Sequence, residues 1–300
     1  MYDFKDFVSN VREELSNKYP DVEVVVKDIL KNNDVTLTAV EMNRKDMIPA
    51  PAPAIYMDSY YSSYRAGANI EDIISAISHN YEESIKNVAG IDEKSLNNLS
   101  NYFIKLVNKD SNKRYLADAP YIKYNDLALT LRCLIRKDEN NVASAGIKNS
   151  LIEELDISKE ELFKVAMENT KRLFPPVLRK INDVLSEAGI VDPVMPDNNL
   201  YVLSNECGVN GAAVMLYDDV IKDFVKTHGE CYVIPSSIHE VLLLPKNSSD
   251  IDLKDMKMFV KQVNSMSVPE QDFLSDNVYM ADENGISIAG EMEKEDYMDM

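Results

Sequence analysis

Cysteine, histidine and positive charge are all scarce in this 300-residue chain, and each shortage removes a class of function. The three cysteines, Cys133, Cys207 and Cys231, are odd in number and show no CxxC spacing. That excludes a disulfide framework and a zinc ribbon, and it fits a reducing, cytoplasmic compartment. With three histidines, any metal site falls mostly to carboxylates, which show no ordered spacing; the chain reads as metal-free and without a cofactor signature. Lysine and arginine together number 32 against 51 acids, giving a net charge of −19. Binding phosphates by counterion release needs a concentrated basic surface, and none is visible, so direct nucleic-acid binding is not expected. The acidic excess keeps a chain soluble, and it is also capable of attracting a basic partner or imitating DNA. Long apolar runs are missing too. The densest, Val241 to Leu244, stops at Pro245, far short of the roughly 20 residues that span a bilayer. The opening MYDFKDFVSNVREEL has neither the apolar core nor the cleavage site of a signal peptide. The expectation is a soluble cytoplasmic protein with no membrane partner.

What is present is an α+β grammar. Phe4, Phe7, Val8, Val11 and Leu15 repeat at helical spacing until Pro20. Strands are expected over 22–30 and 35–40, joined by the turn Asn32-Asn33-Asp34. The prolines of MIPAPAPA, Pro49, Pro51 and Pro53, impose an extended connector. Behind Asn69 as a cap, Ile70, Ile73, Ile74, Ile77, Tyr81 and Ile85 make the clearest helical stripe in the chain. A weaker helix is read over 96–107. From Asp126 to Arg136, Leu127, Leu129, Leu131, Cys133 and Ile135 alternate strictly, which predicts a core strand followed by a second over 142–147. Ser158 with Glu161 forms a capping box for a helix that Pro175-Pro176 stops, and a further helix is read over 177–188. The remainder reads as β-β-α-β-β-α-β-β, with strands over 201–205, 212–217, 231–234 and 241–244. Its helices start at Asp218 as a cap and run over 251–263, the latter presenting Leu253, Met256, Val260 and Val263. Asn284-Gly285 marks the final hairpin.

These signals predict largely antiparallel sheets with amphipathic helices packed on them, in two lobes. The lobes are drawn at residues 1–150 and 151–290, followed by an acidic tail over 291–300.

Four blocks carry a family resemblance: IYMDSYYSSYRAGANIEDIISAISHNY, ISKEELFKVAMENTKRLFPP, YVLSNECGVNGAAVMLYDDVIKDFV and YVIPSSIHEVLLLP. In order and spacing they resemble a family of unknown function from gut Firmicutes, often associated with mobile elements. A fainter likeness in the capped helix resembles the YtpQ-like proteins. Neither resemblance implies a catalytic residue.

Read for chemistry, the chain offers one nucleophile candidate, Cys207 in the turn NECGVNG, with His239 as its base. Asn205 or Glu206 would orient the imidazole, since thiol catalysis needs a thiolate, a proton acceptor and commonly a third group. The plainer reading makes Cys207 a turn residue and His239 a polar hairpin residue. Ser236 and Ser237 lack a nucleophile elbow. Gly208 and Gly211 lack the remainder of any phosphate-loop motif. The stretch Asp282–Gly285 lacks the Glu of a calcium loop. Tyr56, Tyr60, Tyr61 and Tyr64 form a candidate binding surface, weighed against half-buried structural duty. Methionines such as Met256, Met258 and Met266 are read as core filler in preference to a flexible docking surface.

The leading expectation is a non-enzymatic accessory or binding protein, serving a mobile element through a protein partner. The alternatives are a thiol-dependent hydrolase or transferase using Cys207 and His239, and an acidic DNA-mimic or inhibitor. The oligomeric state is not legible.

Overall fold

A computed structural model describes residues 1–44, 54–88, 98–137, 142–155, 157–190, 199–248 and 251–290. The proline connector, the turn after Lys137 and the acidic tail lie outside the described residues. The chain is α+β, with three antiparallel sheets among the described residues, and it divides into two compact units. One comprises Met1–Lys31 and Val35–Glu93; the other comprises Asn32–Asp34 and Lys94–Met300. Residue 150, where the lobes were drawn, falls inside the second unit.

In the first unit, helix α1 (Phe4–Lys18) starts where Asp3 accepts a hydrogen bond from the Asp6 amide at 2.9 Å. Its stripe of Phe7, Val8, Val11 and Leu15 is buried. Strands β1 (Val22–Leu30) and β2 (Thr36–Arg44) pair from Val22 opposite Arg44 to Leu30 opposite Thr36, and β3 (Ala54–Tyr56) joins β2. Helices α2 (Met57–Arg65) and α3 (Ile70–Val88) complete the unit, with Ile73, Ile77 and Tyr81 sharing a core with Val40, Met42 and Met57.

The second unit builds one sheet from β4 (Tyr102–Asn108), β5 (Tyr121–Tyr124), β6 (Leu127–Lys137) and β7 (Val142–Gly146). The other runs β13-β12-β10-β11-β9-β8, from β8 (Pro176–Lys180), β9 (Tyr201–Asn205), β10 (Cys231–Ile234), β11 (Val241–Pro245), β12 (Tyr279–Asp282) and β13 (Gly285–Ile288). Helices α4 (Lys113–Leu116), α5 (Asn149–Leu155), α6 (Lys159–Leu173), α7 (Ile181–Glu187), α8 (Asp218–His228) and α9 (Leu253–Ser267) are distributed between the strands. One core serves both sheets, joining Ile104, Leu129 and Leu131 to Leu203, Val233, Leu243 and Tyr279.

The strict alternation on β6 is a core face: Leu127, Leu131 and Cys133 are fully buried and Leu129 is nearly so. Ala128 and Thr130 on the opposite face are buried as well: Ala128 packs with Val107, Leu116 and Tyr121, and the Thr130 hydroxyl donates to Lys105 O. A bulge between Leu134 and Arg136 then leaves Ile135 only half-buried. The capping box holds, with the Glu161 amide donating to Ser158 Oγ at 3.2 Å.

Five elements differ from expectation. The helix read over 96–107 is a short 3₁₀ turn and strand β4, because Tyr102–Val107 is an almost unbroken apolar run that pairs with Leu127–Cys133. The helix read from residue 177 begins as strand β8, where Pro176 sits at the first position of an edge strand and needs no ladder donor. The strand read over 212–217 is a 3₁₀ helix, Gly211–Leu216, entered through Asn210 at φ 53°. Tyr217 caps α8 in place of Asp218, which is its first residue. In the last hairpin Asp282 pairs with Gly285, so Glu283 and Asn284 form the loop. The Asp282 carboxylate accepts the amides of Asn284 and Gly285 at 2.7 and 3.1 Å and builds the turn from one side chain.

Candidate functional site

The turn after β9 is organised by Asn205. Its Oδ1 accepts from the Cys207 amide and the Cys207 thiol, both at 3.2 Å, while its Nδ2 donates to Val209 O at 2.9 Å. Gly208 continues the turn at φ 64°. Cys207 is buried, packed with Phe103, Phe174 and Val209. The adjoining crevice, lined by Phe103, Phe174, Asn205, Val209 and Tyr217, has no interior room for a water molecule.

His239 lies in the connector between β10 and β11. Its amide donates to Ser237 Oγ at 2.9 Å, and its carbonyl accepts from Ser204 Oγ at 2.7 Å. The ring accepts the Asn210 amide on Nδ1 at 3.4 Å and meets Asp272 through Nε2 at 3.4 Å. A backbone N–H can only donate, so Nδ1 is the acceptor and the neutral ring carries its proton on Nε2, toward the carboxylate.

The structure therefore brings Asn205 to Cys207 and Asp272 to His239. Among the described residues no hydrogen bond joins Cys207 to His239. A general base must reach the proton that it removes. Here the thiol proton faces an amide oxygen, the imidazole lone pair faces a backbone amide, and Glu206 is exposed.

The four tyrosines are half-buried and work inside the first unit. Tyr56 lies under the Lys31 ammonium, 4.0 Å from the ring centre, and Tyr60 accepts from Asn80 Nδ2 at 2.6 Å. Tyr61 packs edge-on to Phe4, and Tyr64 stacks on Phe7 while accepting the Tyr2 amide at 3.0 Å. Tyr60, Tyr61 and Tyr64 fasten α2 to α1 and α3.

Two groupings have no signal in the sequence. Asp126 accepts from Ser275 Oγ at 2.7 Å and from the hydroxyl of Tyr279, a fully buried residue whose phenol is pushed up by burial and then by that carboxylate. Asn33, Asn112 and Asn108 form a buried chain of amides, with Asn112 donating to Asn33 Oδ1 and to Asn108 O, each at 2.8 Å. Both are internally satisfied scaffolding.

A further surface feature lies on α9. Met256 and Val260 are buried, and Asn264 takes the core position read for Val263. Its amide donates to Ser275 O and Asp276 Oδ1, each at 2.9 Å. Met258, Phe259, Val263 and Met266 are exposed, at 56, 65, 37 and 75%. The core-filler reading thus holds for Met256 and fails for Met258 and Met266, which point to solvent. Phe259, Val263 and Met266 follow at i, i+4 and i+7 and share one flank of the helix. Lys254, Lys257 and Lys261 follow at i, i+3 and i+7 and share the other. Lys257 donates to Ala289 O at 2.7 Å, and none of the three lysines meets a carboxylate among the described residues.

Against known proteins, the model of a family of unknown function, DUF5688, matches residues 4–282. The chain belongs to that family. Cys207, His239 and all of α9 lie within the match, and residues 283–300 lie beyond it. No curated protein and no solved structure matches. The DUF5688 match thus fixes membership and brings no assigned activity to either the Asn205–Cys207 turn or the α9 face. Among the described residues, no group of three or more His, Cys, Asp or Glu is placed to hold a metal ion, and no helix is long and apolar enough to cross a membrane.

Proposed function

We propose that this chain is a non-enzymatic accessory or binding protein of the cytoplasm, and that a protein partner docks on the exposed face of α9. The observation carrying this reading is the phenylalanine at 65% exposure, set among Met258, Val263 and Met266 on a helix otherwise anchored in the core. An aromatic and flexible methionines at the centre of a patch are the residues that dominate interface energetics. Leaving them in water costs solubility unless something covers them.

The flank of Lys254, Lys257 and Lys261 specifies the chemistry of the partner. On a chain of −19, three neighbouring cations without carboxylates select an acidic segment bearing apolar anchors. They are too few and too local to hold a nucleic-acid backbone against that net charge. Service to a mobile element belongs to the same proposal and rests on the resemblance of the four sequence blocks.

The test compares the wild-type chain with F259D/M266D as bait in extract of the native host. Both positions are exposed, so the variant should fold with stability within about 0.5 kcal/mol of wild type. The expected result is a partner recovered by wild type and lost by the variant, cross-linked to α9 through an acidic segment. Equal recovery by both baits would remove α9 from the binding surface.

A further inference from the structure

We propose that the outer edge of β1 is a self-association surface, along which two copies of this chain pair antiparallel and join their three-stranded sheets into one. The surface belongs to the first unit and owes nothing to the α9 face.

The edge is open and equipped to bond. The Lys31 amide donates to Val35 O at 2.7 Å, one step beyond the Leu30–Thr36 pair. Bonded and non-bonded pairs alternate in an antiparallel ladder, so Glu23, Val25, Lys27 and Ile29 bond to β2. The amides and carbonyls of Val24, Val26 and Asp28 therefore point away from β2. Among the described residues no other backbone hydrogen bond reaches them. Other edges are closed by side chains. The Ile104 amide of β4 donates to the Thr170 hydroxyl at 2.9 Å, and the Arg132 guanidinium donates to the Ser144 carbonyl of β7 at 2.6 Å.

Val26 shows that the core covering stops short of this edge. It lies on the same side of the strand as Val24, which packs against the core of Val40 and Met42. It also sits opposite Val40, which is fully buried. Val26 itself is 37% exposed, and a strand added beside it would cover it.

The occupant follows from the strand's own sequence, VEVVVKDIL. An antiparallel pair with Val25 on the two-fold axis sets Glu23 of each copy opposite Lys27 of the other, and Val24 opposite Val26. In that register the outward amides and carbonyls of Val24 meet those of Val26. Lys27, half-exposed and already paired with Glu41, gains a second carboxylate. The neighbouring registers that keep the outward groups opposed set Glu23 against Val25 or against Ile29, and both lose the ion pairs. Opposite charges directly across a ladder stabilise it and like charges destabilise it. The strand is thus self-complementary, as a two-fold interface requires.

Analytical ultracentrifugation of the full chain over a range of concentrations tests this. Wild type is expected to pass reversibly from monomer to dimer. E23K and K27E each set like charges against one another on both sides of the axis, so each alone should raise the dimer's Kd about tenfold or more. An equimolar mixture of E23K with K27E restores opposite charges across the ladder and should dimerise close to wild type. Rescue needs two folded chains, which separates lost pairing from lost folding. Under mild oxidation V25C should give a disulfide-linked dimer and I29C should not, the three native cysteines being buried. F259D/M266D should associate as wild type does, whatever its effect on partner recovery. A monomer at every concentration, a dimer indifferent to E23K and K27E, no recovery on mixing, or a dimer abolished by F259D/M266D would overturn the proposal.

Discussion

Replacing Gly211 with alanine is expected to unfold or severely loosen the second unit, costing on the order of 3 kcal/mol or more. A Cβ at this position would lie 2.1 Å from Ser204 Oγ, 2.3 Å from the His239 carbonyl oxygen and 2.9 Å from the Asn205 amide nitrogen. The serine can rotate away; the other two are backbone atoms of β9 and of the β10–β11 connector. Relief therefore requires parting the 3₁₀ helix from both. That breaks the Ala212 amide bond to Ile238 O at 3.2 Å and removes Ala212, Val214 and Met215 from the core that they complete. Urea unfolding followed by circular dichroism should show a large fall in midpoint for G211A. A midpoint equal to wild type would mean that the approach of these segments is looser than described.

Alkaline unfolding is the second large effect. Burial pushes the Cys133 thiol up to about 11 and the Cys231 thiol to about 12, from an ordinary 9.0. Burial, with a smaller contribution from Cys133, pushes the Tyr102 phenol from 10.0 to about 12. All three side chains are fully enclosed. In the unfolded chain these groups ionise at ordinary values, whereas the folded chain holds their protons. Their contribution to stability is therefore fully present below about pH 9 and is lost as the pH rises through 9 to 12. Each pKa unit is worth about 1.4 kcal/mol, so Cys133 and Tyr102 each account for up to about 3 kcal/mol and Cys231 for up to about 4 kcal/mol, large beside typical folding free energies. Tyr217 and Tyr279 add to the trend in the same direction. Circular dichroism between pH 8 and 12 should show steady stability to about pH 9, then a cooperative loss that accompanies thiol and phenol ionisation. Ionisation at ordinary values with the fold intact at pH 12 would contradict the burial of these groups.

Where the sequence predicted correctly, a local pattern and the tertiary environment agreed. The alternation on β6, the stripes of α1 and α3 and the capping box at Ser158 each need only neighbours in sequence to be recognised. Where it failed, distant partners decided. Tyr102–Val107 carries no period that separates strand from helix, and the edges offered by Leu127–Cys133 make it a strand. The segment after Gly211 has strand-like composition, but the close approach to His239 and Asn205 winds it into a 3₁₀ turn.

The candidate site was legible as residues and not as geometry. Cys207, His239 and Asn205 do lie in adjoining turns. That the thiol would turn to Asn205, and the imidazole to Asp272 thirty-three residues on, follows from folds of the loops that no spacing encodes. The α9 face was hidden for a different reason. A one-position difference in helix rotation decides whether Met258, Val263 and Met266 are core or surface, and the polar Asn264 takes the buried place through its bonds to Ser275 and Asp276.

The claim underlying this account is that Cys207 is a packed turn thiol and the chain works by binding. Its most direct measurement is the rate at which iodoacetamide alkylates Cys207 at neutral pH, in the native protein and in urea, by peptide mass spectrometry. Reaction needs an accessible thiolate, and here Cys207 is buried in a cluster with Phe103 and Phe174, and its thiol donates to Asn205 Oδ1. The predicted result is alkylation much slower in the native chain than in the unfolded one, and unchanged by H239A. Native alkylation faster than unfolded, and abolished by H239A, would show a histidine-activated nucleophile and contradict the account.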